Sequence, residues 1–208
     1  MKTLQLNSIT NFKFQTMKTM KTMKTMKNIS FYALLSIAML GCSDDDTPEV
    51  VNEEELITTV ILTLTTEDGE VVELKSTDLD GGGDIEYEII GDFSPNTIYD
   101  GTVAFLDESG EEVEDITLEV IEEADEHQVF YQIQEGLNID IMYNDDQQDS
   151  QGNPIGVQII LTTGAASTGI LKVTLRHEPN KSAEGVSDGD ITNAGGETDI
   201  TTDFDVSF

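Results

Sequence analysis

From residue 56 to residue 208, apolar residues recur at every second position in short runs bounded by Gly, Asp, Asn and Pro, the signature of half-buried β-strands. The run 56–66 places Val60, Leu62 and Leu64 on one face. Glu67-Asp68-Gly69 supplies a hairpin turn into 70–76, where Val72 and Leu74 share a face. Further strands are predicted at 85–90, 97–107, 127–133, 137–143, 155–163, 169–177 and 199–208. In the last, Ile200, Phe204, Val206 and Phe208 take one face, and Asp199, Asp203 and Asp205 the other. One stretch breaks the period. In 111–126, Val113, Ile116, Val120, Ile121 and Ala124 recur at helical spacing, with Ser109 and Glu112 placed for a capping box.

Eight or nine strands with polar outer faces, one short helix and no alternation of strand and helix predict an all-β domain of antiparallel sheet packed on itself. The two architectures that fit are a β-sandwich and a closed antiparallel barrel. The segment Phe93-Ser94-Pro95-Asn96-Thr97-Ile98-Tyr99 favours the first. It resembles the approach to a late strand in fibronectin type III and related immunoglobulin-like domains. That resemblance implies an immunoglobulin-like sandwich in which Pro95 shapes the turn. Tyr99 would act as a tyrosine corner, its hydroxyl bonding back to the preceding loop. A membrane barrel would need aromatic girdles; the chain has no Trp and few aromatic residues.

Upstream, the pattern changes character. The first 41 residues hold six lysines and no acidic residue, and the segment 31–40 is almost wholly apolar, followed by Gly41 and Cys42. A basic stretch, a short apolar run and a small residue form a secretory signal peptide, and the run is too short to span a bilayer. Met39-Leu40-Gly41-Cys42 resembles a bacterial lipobox, which implies cleavage before Cys42 and lipid on its thiol. The Met-Lys-Thr repeat before Met26 makes 1–25 an over-long start that leaves with the signal peptide. Cys42 is the only cysteine, so the mature chain has no disulfide and relies on its packed core. The expected organisation is a signal peptide at 1–41, a lipidated acidic linker at 42–55 and one β domain at 56–208.

Charge narrows the partners. After Cys42 stand four basic residues, Lys75, Lys172, Arg176 and Lys181, against 42 acidic ones, a net charge of −38. Such a surface repels nucleic-acid phosphates and anionic lipid headgroups, so the lipid itself must hold the protein to the membrane. Compatible partners are proteins, neutral glycans and divalent cations. Ser43-Asp44-Asp45-Asp46, just after the anchor, resembles the surface-export signal of Bacteroidota lipoproteins and implies an outer-membrane location facing the periplasm or the cell surface.

Longer stretches extend that resemblance. The segments 175–181, 188–199, 123–128 and 149–154 together resemble a family of small Bacteroidota lipoproteins, some of which carry the name "type 1 periplasmic binding fold superfamily protein". That name would imply a doubly wound α/β structure in two lobes, which the strand pattern does not support. The resemblance implies an exported lipoprotein and transfers no active site.

Candidate chemistry is sparse. His127 and His177, the only histidines, each share parity with the apolar residues of their strands, and a neutral imidazole pair suits a transition metal or haem. Asp145, Gln147 and Asp149 lie at alternate positions in an oxygen-rich loop suited to Ca²⁺, although Ser150 stands where an EF-hand needs glycine. Asp78, Asp80 and Asp84 around the glycine run, and Asp188 and Asp190, are looser candidates. There is no cysteine nucleophile, nucleophile elbow or phosphate-binding loop. The reading is a non-enzymatic binding or surface-display module; its rivals are a metal or haem carrier and a structural envelope component.

Overall fold

A computed structural model describes residues 56–134 and 136–208. Cys42 and the signal and linker segments lie outside those residues. Ten strands follow one another: β1 (Thr59–Thr66), β2 (Val71–Thr77), β3 (Glu86–Ile90), β4 (Ile98–Asp107), β5 (Glu114–Asp115), β6 (His127–Gln134), β7 (Ile139–Tyr143), β8 (Gln158–Thr163), β9 (Thr168–His177) and β10 (Glu197–Ser207). They form two antiparallel sheets. The larger runs β3-β2-β1-β4-β8-β7, with β5 paired to β4; the smaller runs β10-β9-β6. Among the described residues no barrel closes, and the architecture is an all-β sandwich.

The alternation read along the chain is the alternation that packs. Val60, Leu62 and Leu64 of β1, Val72 and Leu74 of β2, and Val103 and Phe105 of β4 meet Leu171, Val173 and Leu175 of β9 and Phe204 and Val206 of β10 in one core. The smaller sheet is also covered on its far side. There the segment 178–196 folds over Phe130 with Val186 and Ala194, backed by Ala183 and Ile191. Gln128 on that same face donates to the Val186 carbonyl at 2.7 Å.

The helix is shorter than the sequence pattern suggests. It is α1 (Thr117–Glu122), preceded by the two-residue strand β5. Ile116 stands at its N-cap without a side-chain cap, and Ser109 spends its N–H on the Asp107 carboxylate. What sets the start is Thr117. Its hydroxyl accepts from the Phe105 N–H at 2.9 Å and donates to the Phe105 carbonyl at 3.3 Å, pinning the first turn to β4. A tertiary contact therefore overrides the helical spacing that Val113 shares with Ile116 and Val120, and Val113 is exposed. Among the described residues, no helix is long and apolar enough to cross a membrane.

Candidate functional site

His127 opens β6 and His177 closes β9. These two antiparallel strands pair with His127 directly opposite His177, so both rings leave the sheet on the core face beside Val129 and Leu175. Cross-strand partners stand close enough for their side chains to touch. His177 Nδ1 lies 3.2 Å from His127 Nε2, and the rings meet edge to face at 89°. His127 is 0 % exposed and His177 6 %.

A carboxylate joins them. Simple alternation in β10 sends Asp199 outward with Asp203 and Asp205, but the ladder with β9 shifts register between Thr198 and Ile200. Asp199 is the extra residue of a β-bulge, which re-aims a side chain that the pleat would point to solvent. Its side chain is 3 % exposed, and Oδ2 stands 4.0 Å from His127 Nε2. Donor atoms of all three residues lie within 4.8 Å of one another. The expectation that Asp199 lies on the polar face is thus corrected by the bulge.

Glu123 orients the outer side of His127. Its backbone hydrogen-bonds the ring, and its carboxylate lies 3.9 Å from Nδ1. Burial pushes the His127 pKa down to about 4; His177 and Lys181 push the same way, and only the Glu123 backbone opposes them. The ring is therefore neutral at physiological pH, the form that offers a lone pair. Gly196 fits this corner closely. Its backbone has φ +68°, and a Cβ there would collide with the His177 carbonyl oxygen. Gly196→Ala combines a left-handed backbone with a backbone clash, so it is expected to cost about 2–4 kcal/mol, read as a lower urea midpoint.

The acidic loop is organised otherwise. Asp145 Oδ2 accepts from the N–H groups of Ile155 and Gly156 at 3.1 and 2.8 Å, and Oδ1 from Gln158 at 2.8 Å. Asp149 accepts from the backbone of Gln151 and Asn153 and from the Asn153 side-chain amide. Gln147 is exposed. The buried Lys181 reaches in from the segment 178–196, with Nζ donating to the Ala124 and Pro154 carbonyls at 2.5 and 3.2 Å and lying 3.9 Å from Asp149 Oδ2. Peptide N–H groups and an ammonium thus hold the oxygens that a Ca²⁺ ion would need.

Of the remaining candidates, Tyr99 is buried. Its hydroxyl accepts from the Ser94 N–H at 2.8 Å, while the exposed Pro95 carbonyl accepts from the Thr97 hydroxyl. Asp78 and Asp80 accept from the N–H groups of Gly83 and Gly82. Asp190 caps the short 3₁₀ turn Ile191–Asn193. Sequence reasoning missed Asp199 and Lys181. The first left no signal in parity, and the second stood out only as a rare cation in an acidic chain.

One further surface is unusual. All five residues of β3, an edge strand, are exposed. Tyr87 and Ile89 point to the same side as Ser76 and Leu74 of β2, yet remain 51 % and 45 % exposed. Tyr87 touches Phe204 edge-on, with ring centroids 6.2 Å apart. Between β3 and β10 lies an open groove of about 320 Å³, with Ile89, Phe93, Val206 and Phe208 among its walls. Comparisons with protein-family models, with curated proteins and with solved structures found no match to this chain.

Proposed function

We propose that the protein is an exported, lipid-anchored binding module of the outer membrane that takes an extended segment of a basic partner protein along the edge of β3. The carrying observation is the fully exposed edge strand. It pairs with β2 on one side, and its inner residues Tyr87 and Ile89 are half covered. Exposed edges are sites of strand addition, and soluble domains ordinarily blunt them. The lipobox at Cys42 and the acidic run behind it support the anchor and the location. The chemistry of the edge selects the partner. An added strand would set apolar side chains inward over Tyr87, Ile89 and Phe204, and its outward side chains beside Glu86 and Glu88. An alternation of apolar and basic residues matches both sides, and the acidic mature chain steers such a segment toward the protein.

A peptide alternating valine with lysine tests the reading by fluorescence anisotropy. It is expected to bind the detergent-solubilised protein, and the double substitution Tyr87→Lys, Ile89→Lys should weaken it at least about tenfold through lost apolar contact and added repulsion. A second peptide of equal charge with proline at alternate positions cannot form the ladder. If it bound equally well, bulk charge alone would explain binding and the edge would have no special role.

A further inference from the structure

We infer that His127, His177 and Asp199 form a buried site for one divalent transition-metal ion of the Zn²⁺ class, which ties together the ends of the three strands of the smaller sheet. The inference is independent of the edge of β3. It rests on donor chemistry, spacing and placement.

The donor set is two imidazoles and one carboxylate, which suits Zn²⁺ and its neighbours and not Ca²⁺, which prefers oxygen alone. With metal–nitrogen bonds of about 2.0–2.1 Å, two nitrogens on one tetrahedral ion stand about 3.3–3.5 Å apart. His127 Nε2 and His177 Nδ1 stand 3.2 Å apart. Asp199 Oδ2, at 4.0 Å from His127 Nε2, needs to move by under about 1 Å to complete a third bond, and its second oxygen offers a fourth. Haem is a poor match for the pair. Two axial imidazoles grip iron from opposite faces of the macrocycle, whereas these rings touch.

The surroundings agree. The Asp199 carboxylate, its side chain 3 % exposed, and the two imidazoles enclose a position that solvent does not reach, so an ion held there would be bound by these three groups. With its proton given to the Glu123 backbone, His127 turns the Nε2 lone pair toward His177 and Asp199, the outer-shell arrangement that orients metal-bound histidines. The placement is costly to build by accident. The carboxylate arrives through a β-bulge at a position that alternation would have sent outside, three residues after the closely packed Gly196.

Position defines what the ion would do. The three ligands come from the start of β6, the end of β9 and the start of β10, and they bracket the segment 178–196 that covers Phe130. An ion here closes two long loops at once. The chain holds a single cysteine and so cannot do this with a disulfide. Because the ligands are almost wholly buried, the ion is retained rather than shuttled, and it binds as the sandwich closes.

The test uses the detergent-solubilised mature protein stripped of metal in denaturant, then refolded with Zn²⁺ or Co²⁺. One equivalent should bind, raise Tm by several degrees, and, for Co²⁺, give the intense visible bands of a four-coordinate site. In the wild type, both imidazole ¹⁵N signals should move on Zn²⁺ binding, a readout that no variant's folding can confuse. Asp199→Asn, nearly the same size, should weaken binding at least about tenfold, while Asp203→Asn on the outer face should leave it unchanged. Two results would overturn the inference: refolded wild type that takes up no Zn²⁺ or Co²⁺, or uptake that leaves both imidazole signals in place. Bound metal that added chelator strips within seconds from the folded protein would overturn the retained role.

Discussion

Lys181→Met is expected to lower the stability of the domain by about 3–5 kcal/mol, seen as a fall in Tm on the order of 10 °C. The ammonium is the only cation at the junction of α1, the acidic loop and the segment 178–196 among the described residues. Its donations to the Ala124 and Pro154 carbonyls tie the segment 178–196 to the end of α1 and to the acidic loop at once. Burial holds its pKa below the usual lysine value, while Asp149, Asp125 and Asp145 pull it back up. Methionine fills the volume and removes the charge, so the penalty is that of leaving the Asp149 carboxylate, 2 % exposed, without its counter-ion and two carbonyls without their donor. The double substitution Lys181→Met, Asp149→Asn should recover at least about 1 kcal/mol of that loss, because removing both partners leaves no buried charge uncompensated. A single-variant loss under about 1 kcal/mol would mean that the ammonium sits there without holding anything.

That junction shows where sequence reading stops. Strand periodicity depends on residues two apart, and it located nearly every strand because most strands of this sandwich bury one face, while the exposed β3 keeps the same alternation. The parity of His127 and His177 was legible for the same reason. Their meeting was not, since it depends on β6 pairing with β9 across 50 residues in one register. Asp199 defeats the method outright, because a bulge reverses parity locally and leaves no mark in the alternation of the strand. The helix end was misplaced because Thr117 answers to Phe105 and not to its own neighbours in sequence. For the acidic loop, composition revealed many oxygens but not what faces them. Asp145 and Asp149 have the side chains of calcium ligands, yet the donors come from peptide groups in the loop and from a lysine 32 residues past Asp149. Such pairings carry no local periodicity.

Asp145→Ala should cost about as much as losing Lys181, roughly 3–5 kcal/mol in urea unfolding, although Asp145 lies at the surface of the loop. The size of the effect follows from what its three hydrogen bonds hold. The Ile155 carbonyl accepts from Val129 of the smaller sheet at 2.7 Å, and the Val157 carbonyl from Val103 of the larger sheet at 3.0 Å. Between them Gly156 turns with φ +87°, where a Cβ would press on the Val129 carbonyl, and its own carbonyl accepts from the Tyr131 hydroxyl. Residues 155–157 therefore stitch one sheet to the other, and Asp145 clamps that stitch by taking the N–H groups of residues 155, 156 and 158. Hydrogen bonds to a charged acceptor contribute about 1.5–3 kcal/mol each, less where water can replace the carboxylate, so three of them lost together rival a large core truncation. Asp145→Asn keeps the shape but turns an N–H group toward one of the donors, and should lose about half as much. Gln147→Ala, two residues along and exposed, should stay within about 0.5 kcal/mol of wild type. Because both Asp145 oxygens are committed to peptide N–H groups, the loss should be the same in chelator and in millimolar Ca²⁺. A penalty that grows when Ca²⁺ is added would show instead that the loop binds the ion, and that the ion, not the peptide donors, holds the seam.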